Sequence, residues 1–145
     1  MFAQQPSAQA GGCFVMCNKG KSFSPESWLR LAEAMVERTL RALPTDLRER
    51  LRDVPVLFEE RPGQHLIEDG WPGDLLGLFE GPCHGERATD ISTQPPTVTL
   101  FLANLRDEAG DDPALFRAEV RTTLLHEIGH YLGLDEDGLT ARGLE

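Results

Sequence analysis

The chain has 145 residues, of which 40% are apolar and 26% are charged, a composition typical of one folded domain with a single core. Its net charge of -10 is unevenly spread: residues 1–53 carry +2, whereas residues 54–102 and residues 103–145 each carry -6. Without a basic patch, binding to nucleic acid or to an anionic membrane surface is disfavoured. The acidity suits a neutral or cationic peptide partner, or it serves only solubility.

The N-terminal region predicts neither a signal peptide nor a membrane anchor. It lacks a basic segment followed by an apolar one, and no apolar run reaches the roughly 18–20 residues that span a bilayer. The chain has three cysteines, Cys13, Cys17 and Cys83, and an odd number favours reduced thiols in a cytoplasmic protein. A weaker alternative is a second zinc site at Cys13 and Cys17, together with Cys83 and His84. We expect residues 1–20 to form a flexible tail and residues 21–145 to form one domain.

The first predicted helix begins at Ser24, a favourable N-cap, with Pro25 at its first position. Pro44 ends it, and a short second helix is expected over Asp46–Arg52. Its buried face is predicted from residues that recur at steps of three and four: Trp28, Leu31, Ala32, Met35, Thr39 and Leu43.

Three apolar runs follow, each bounded by loops rich in proline and glycine. Val54–Glu59 predicts a strand, with Pro55 near its beginning. Leu75–Glu80 predicts a second, and Thr97–Leu102 is β-branched and alternating, which favours a third. The segments between them are expected to be loops.

The last helix is predicted to start at Asp111-Asp112-Pro113, which provides a capping Asp and a proline in the first turn. Gly133 occupies the left-handed position at its C-terminus, and Leu134 is the hydrophobic residue that often follows such a cap. An apolar stripe along the helix comprises Leu115, Phe116, Val120, Leu124 and Ile128.

His126 and His130 lie four residues apart on this helix, so both imidazoles project from one face and can bind one zinc ion. Glu127 lies about 100° around the helix, where it suits a general base better than a ligand. Zinc lowers the pKa of a bound water toward ~7, and a nearby carboxylate can take its proton. This H-E-x-x-H pattern is typical of metallopeptidases.

A third ligand is expected because catalytic zinc usually has three protein ligands. The pattern continues as H-E-x-x-H-x-x-G-x-x-E, in which Gly133 reverses the chain and Glu136 can reach the metal. This is the metzincin spacing with Glu in place of the last His. Asp135, a water molecule, or a merely solvated acidic loop over 135–137 remain alternatives.

Together these segments resemble the minimal zincins, small bacterial zincin-like metallopeptidases. The resemblance covers about residues 24–140 and includes Leu43-Pro44, the strand Leu76–Gly81, the strand Val98–Leu102 and the zinc helix. It implies an α+β fold, in which a small twisted sheet packs against an N-terminal helix and the zinc helix. It also implies one zinc per chain and peptide hydrolysis. The family usually has Asp where this chain has Glu136.

In zincins, an edge strand beside the active helix pairs with extended substrate, which here implies that Gly77, Leu78 and Phe79 bind substrate. The leading hypothesis is a zinc-dependent peptidase that acts on peptide or unfolded protein. One alternative is a zinc-bound peptide-binding protein with little or no turnover. Another is a structural zinc closed by His84 or Cys83. His65 and His84 are weak candidates for stabilising an oxyanion, Tyr131 is expected to have a packing role, and the oligomeric state stays open.

Overall fold

Six helices and three strands form in the part of the chain that the computed structural model describes, residues 23–84 and 94–144. This arrangement confirms the predicted α+β class. The predicted tail, with Cys13 and Cys17, lies outside the described residues. In chain order the elements are α1 (Pro25–Ala42), α2 (Thr45–Leu51), β1 (Val56–Glu59), α3 (Gln64–Glu68), β2 (Gly77–Glu80), β3 (Thr97–Phe101), α4 (Leu102–Glu108), α5 (Pro113–Leu132) and α6 (Glu136–Ala141).

The ends of the two long helices are set by local sequence. Ser24 caps α1 by accepting a hydrogen bond from the N–H of Ser27, and Asp112 caps α5 by accepting from two N–H groups of its first turn. Gly133 ends α5 with φ 71°, and the next N–H, that of Leu134, donates to the carbonyl of Gly129 at 2.8 Å. This Schellman motif reverses the chain directly after the second histidine.

The sheet has the strand order β1-β3-β2, with β1 parallel and β2 antiparallel to the central strand β3. Strand β2 therefore lies at one edge. Helix α5 packs against this strand and contacts it more extensively than it contacts β3. The order of the strands thus brings an edge strand against the helix that carries the two histidines.

The main core lies between the sheet and the helices. Trp28 on α1 meets Phe116 on α5 edge to face, with ring centroids 4.8 Å apart, so the two long helices are locked together near their N-termini. A smaller cluster on the opposite face of the sheet contains Leu66, Leu78 and Phe101. The largest side chains that are fully buried are Phe101, Phe116, Leu47, Leu100, Leu105, Leu124, Ile128, Val98 and Val120.

Two helices were not predicted. Helix α3 lies in a segment expected to be a loop, and α4 starts at Leu102, which was expected to end the third strand. The buried face of α1 also differs in part, because Val36 is buried whereas Leu31 and Met35 are only half-buried. None of the helices in the described residues combines the length and apolar character needed to cross a bilayer.

Candidate metal centre

His126 and His130 lie one turn apart on α5, and both are exposed. Their rings are inclined at 63° with centroids 4.6 Å apart. The ligand atoms of His126, His130 and Glu127 all lie within 4.8 Å of one another. Within residues 23–84 and 94–144, no other three His, Cys, Asp or Glu side chains come so close. Helix α5 therefore gathers three potential donors at one point of the surface.

The donor set fits zinc. Imidazole and carboxylate ligands bind zinc at about 2.0–2.2 Å, which places two ligand atoms of a tetrahedral site roughly 3.4 Å apart. The ligand atoms here lie within 4.8 Å of one another, so rotations of the side chains would bring them to that separation. His130 directs Nδ1 toward Glu127 Oε2, at 3.3 Å, so its Nε2 is the nitrogen left for a metal. Both histidines are accessible to an ion from solvent.

Glu127 differs from its neighbours because it is buried, with only 9% of its side chain exposed. It follows His126 by one residue, and the helix turns it toward β2. Burial raises the pKa of Glu127 above its ordinary value of 4.5. The rings of His130 and His126 and a hydrogen bond from the Phe79 N–H act in the opposite direction, since they favour the carboxylate. The site thus holds a carboxyl group whose proton affinity is increased.

Strand β2 passes close to α5 at Gly77. A Cβ placed on Gly77 would lie 2.6 Å from Cγ2 of Thr123 and 3.3 Å from Cγ of Glu127. The first of these distances is shorter than any normal carbon–carbon contact, so only glycine fits here without movement of a neighbour. The backbone of β2 therefore passes the side chain of the predicted general base with too little space for a Cβ between them.

The three residues predicted to bind substrate lie on β2 but face different ways. Phe79 faces the helices, where its ring lies 5.6 Å from that of Tyr131. Leu78 points to the other face of the sheet and is buried in the smaller cluster. Substrate binding by Gly77, Leu78 and Phe79 stays a prediction.

Glu136, the predicted third ligand, is the first residue of α6 and is exposed. It is not part of the three-residue group. It does line a cavity of about 510 Å³ together with His126 and His130, and a second cavity of about 260 Å³ beside His126. Asp135, its rival, caps α6 instead, because its Oδ1 accepts a hydrogen bond from the N–H of Gly138 at 2.8 Å. Of the two, Glu136 is the side chain not already engaged.

Gly129, between the two histidines, allows α6 to pack against α5. A Cβ on Gly129 would lie 2.9 Å from Cδ1 of Leu139 and 3.2 Å from the carbonyl oxygen of Leu134. Leu139 is the buried residue of α6. The glycine therefore sets how close the segment that carries Glu136 comes to the histidines.

His84 and Cys83 contact the last turn of α5 and do not join the three-residue group. The N–H of His84 donates to the carbonyl of Tyr131 at 2.7 Å, and Cys83 Sγ donates to the carbonyl of His130 at 3.4 Å. Nδ1 of His84 also lies 3.1 Å from the hydroxyl of Tyr131, which in turn donates to the carbonyl of Arg50. Tyr131 therefore packs at the end of the helix, as expected. His65 lies at the start of α3, beside Gly63.

Asn104 was missed from the sequence, although it orders the approach to β2. It is buried, and its amide donates to the carbonyls of Gly73 and Leu75, both at 2.8 Å. Its Oδ1 accepts from the guanidinium of Arg61. The only signal in the sequence is a single polar residue within the apolar stretch 102–105.

Comparison with protein families shows where this chain belongs. Residues 51–144 match the family model described as zincin-like metallopeptidase, a range that includes the whole sheet and all of the metal centre. The match starts later than the resemblance read from the sequence, since it leaves out α1. A comparison with curated proteins gives no match. Because the matched residues make up well over half of the chain, this protein belongs to the zincin-like metallopeptidase family.

Proposed function

We propose that this protein is a zinc-dependent peptidase that hydrolyses peptide bonds in unstructured peptide or unfolded protein, with Glu127 as general base. The observation that carries the proposal is a buried carboxylate, with 9% of its side chain exposed, whose oxygen lies within 4.8 Å of the ligand atoms of two exposed imidazoles. A site that held a metal only for structure would not need this third side chain. Family membership supports the same activity.

His126 and His130 would hold the zinc, which when bound supplies a Lewis acid and an acidified water. Glu127 accepts the proton of the attacking water and passes it to the leaving amine. Its position suits this role, because its carboxylate lies within 4.8 Å of the ligand atoms of both imidazoles and can reach a water held between them. The backbone of the edge strand β2 would hold an extended peptide beside it by strand addition.

Glu136 is proposed as the third ligand. It is exposed and lines the same cavity as both histidines, whereas the carboxylate of Asp135 is occupied in capping α6. A turn of α6 would not need to unwind for this, because Glu136 is at its first position. A carboxylate oxygen is a common zinc ligand, so an acidic side chain suits this position.

A zinc-bound peptide-binding protein with little or no turnover is the second candidate. The exposure of the His130 side chain, 53%, favours it, since catalysis gains from a site that excludes water. Both candidates use the same metal and the same edge strand. They differ only in what happens to the bound peptide. A cytoplasmic location remains part of the proposal.

The two candidates are separated by turnover of a denatured protein by the zinc-loaded chain. The peptidase proposal predicts cleavage that Glu127→Gln abolishes, by at least about 100-fold, because the amide cannot accept a proton. Zinc content and the far-UV spectrum of Glu127→Gln should match those of the parent. Cleavage at a similar rate in both proteins would reject Glu127 as the base, and peptide binding without cleavage in either would favour the second candidate.

A further inference from the structure

Gly77 is not explained by the conformation of its own backbone. Its φ does not lie in the left-handed region, which among the described glycines is adopted by Gly70, Gly81, Gly110, Gly133 and Gly143. Gly77 is the first residue of β2 and follows Leu76, whose carbonyl already bonds to β3, and glycine in such a paired segment is unfavourable by roughly 0.5–1 kcal/mol relative to alanine. The reason for glycine at this position must therefore lie in the space around it.

That space is closed on three sides. A Cβ on Gly77 would meet Cγ2 of Thr123 at 2.6 Å, Cγ of Glu127 at 3.3 Å and Cδ2 of Leu100 at 3.3 Å. Thr123 and Glu127 lie one turn apart on the same face of α5, and Leu100 is directly opposite Gly77 on β3. The strand backbone therefore lies so close to the aliphatic stem of Glu127 that a Cβ on Gly77 would not fit between them without movement of a neighbour.

The register of β2 provides a second contact with the same side chain. The N–H of Phe101 donates to the carbonyl of Leu76, so these two residues form a hydrogen-bonded pair. In an antiparallel ladder such pairs alternate, and the N–H and C=O groups of Gly77 and Phe79 then point away from β3 toward the free edge. The Phe79 N–H donates to the carboxylate of Glu127 from that edge.

We propose that Gly77 is a positioning residue for the reaction: its missing side chain lets β2 hold the stem of Glu127 and so fixes where the carboxylate lies. The inference rests on the proposed function, because it assigns Glu127 the role of the base. It goes further in stating that the edge strand sets the position of the base as well as facing the peptide. The same backbone then aligns the base and the substrate, which keeps the two in a constant relation.

The test uses a double variant, because Gly77→Ala alone would clash with Thr123 and unfold the contact. Thr123→Ser removes Cγ2, the atom that lies at 2.6 Å, and leaves the added Cβ in contact only with Glu127 and Leu100. In Gly77→Ala/Thr123→Ser the stem of Glu127 must move by a few tenths of an ångström. Thr123→Ser is the matched control. Gly73→Ala is a second one, since a Cβ there meets its nearest neighbour, Ile67, at 3.8 Å.

We expect the double variant to fold and to bind zinc within about two-fold of Thr123→Ser. Its kcat should fall about 10-fold with KM within two-fold, because a shift of ~1 Å can cost on the order of 10²-fold and this shift is smaller. Gly73→Ala should change neither constant. A role of Gly77 in packing alone predicts instead that kcat returns to the value of Thr123→Ser once the clash is removed, and that result would overturn the proposal.

A second measurement does not depend on turnover. The chemical shift of the Phe79 amide proton reports its hydrogen bond to Glu127, so Glu127→Gln should change it. The double variant should change it in the same direction, whereas Thr123→Ser and Gly73→Ala should not. An unchanged Phe79 amide in the double variant refutes the positioning role. If the parent protein shows no cleavage, the proposed function is rejected and the amide shift alone decides whether Gly77 positions Glu127.

Discussion

The adjacent carboxylates of Asp135 and Glu136 should differ in what their removal costs: stability for Asp135 and zinc affinity for Glu136. Oδ1 of Asp135 accepts the hydrogen bond that caps α6, whereas the carboxylate of Glu136 makes no hydrogen bond or ion pair within the described residues. Loss of such a cap costs about 1 kcal/mol, and surface substitutions without contacts usually change stability by less than ~0.5 kcal/mol. In metal-free protein, Asp135→Ala should therefore be the more destabilising of the two.

Zinc should reverse this order. Loss of a true ligand weakens zinc by more than the roughly 10–100-fold typical of residues that only orient a ligand. For Glu136→Ala we therefore expect a loss of more than 100-fold, which corresponds to more than about 2.7 kcal/mol of binding free energy. Asp135→Ala should lose less than about 10-fold, through looser attachment of α6. Asp135→Asn keeps the cap and should bind zinc like the parent protein.

Two titrations measure the two effects. Competition with a chromophoric chelator gives the zinc affinity, and urea unfolding in excess chelator gives the free energy of unfolding without metal. Glu136→Asp, which restores the residue that the family usually has, should be the mildest change at that position. Equal zinc affinity for Glu136→Ala and the parent would refute Glu136 as a ligand, and a stronger loss for Asp135→Ala would assign the role to Asp135.

Three further predictions use the same protein. His126→Ala and His130→Ala should each lose most of the zinc, and metal analysis that shows zinc retained in both would exclude the site. Glu127→Gln should raise the free energy of unfolding of the metal-free protein at pH 7. Because the pKa of Glu127 is higher in the folded than in the unfolded state, the parent protein loses stability as the pH rises from the ordinary pKa of 4.5 through the raised pKa. The difference in unfolding free energy between Glu127→Gln and the parent should therefore vanish below pH 4.5. Urea unfolding at pH 4 and 7 tests the sign. Asn104→Ala should cost about 2–3 kcal/mol, since it leaves two loop carbonyls without their buried donor, and a cost below ~0.5 kcal/mol would contradict this role.

The parts of the structure that the sequence predicted are those with local determinants. Asp112, Pro113 and Gly133 mark the two ends of α5, and the spacing of His126 and His130 fixes their shared face. Helix periodicity alone therefore brings the two imidazoles together. No information from elsewhere in the chain is needed for this step.

The missed helices lack such marks. Helix α4 follows β3 without a break, and its first position is preceded by Phe101, which provides no side-chain cap. Apolar residues continue from the strand into the helix, so the pattern does not change at the boundary. Helix α3 has five residues and Gly63 before it, again without a side-chain cap. Leu66 of this helix packs in the smaller cluster with Phe101. This contact depends on a residue far along the chain, so local sequence does not reveal it.

The environment of Glu127 was beyond sequence reasoning for a different reason. Gly77 and Glu127 are fifty positions apart, and their contact exists only because β2 takes the edge position next to α5. Likewise, nothing in Asp135-Glu136-Asp137 distinguishes a capping carboxylate from one that faces a cavity. That distinction appears once α6 is seen to begin at Glu136.

Strand β2 is attached to the rest of the fold on both sides of its four residues. Asn104 holds the loop before it, and Cys83 and His84 bond to the final carbonyls of α5 after it. An edge held in this way has its backbone ordered before a peptide arrives. In the proposed role, the loss of conformational entropy on binding would then fall on the peptide, not on the protein. Short or already extended peptides should gain most from such an edge. The amides of Leu78 and Glu80, which the register directs at β3, should exchange slowly with solvent deuterium even without a ligand.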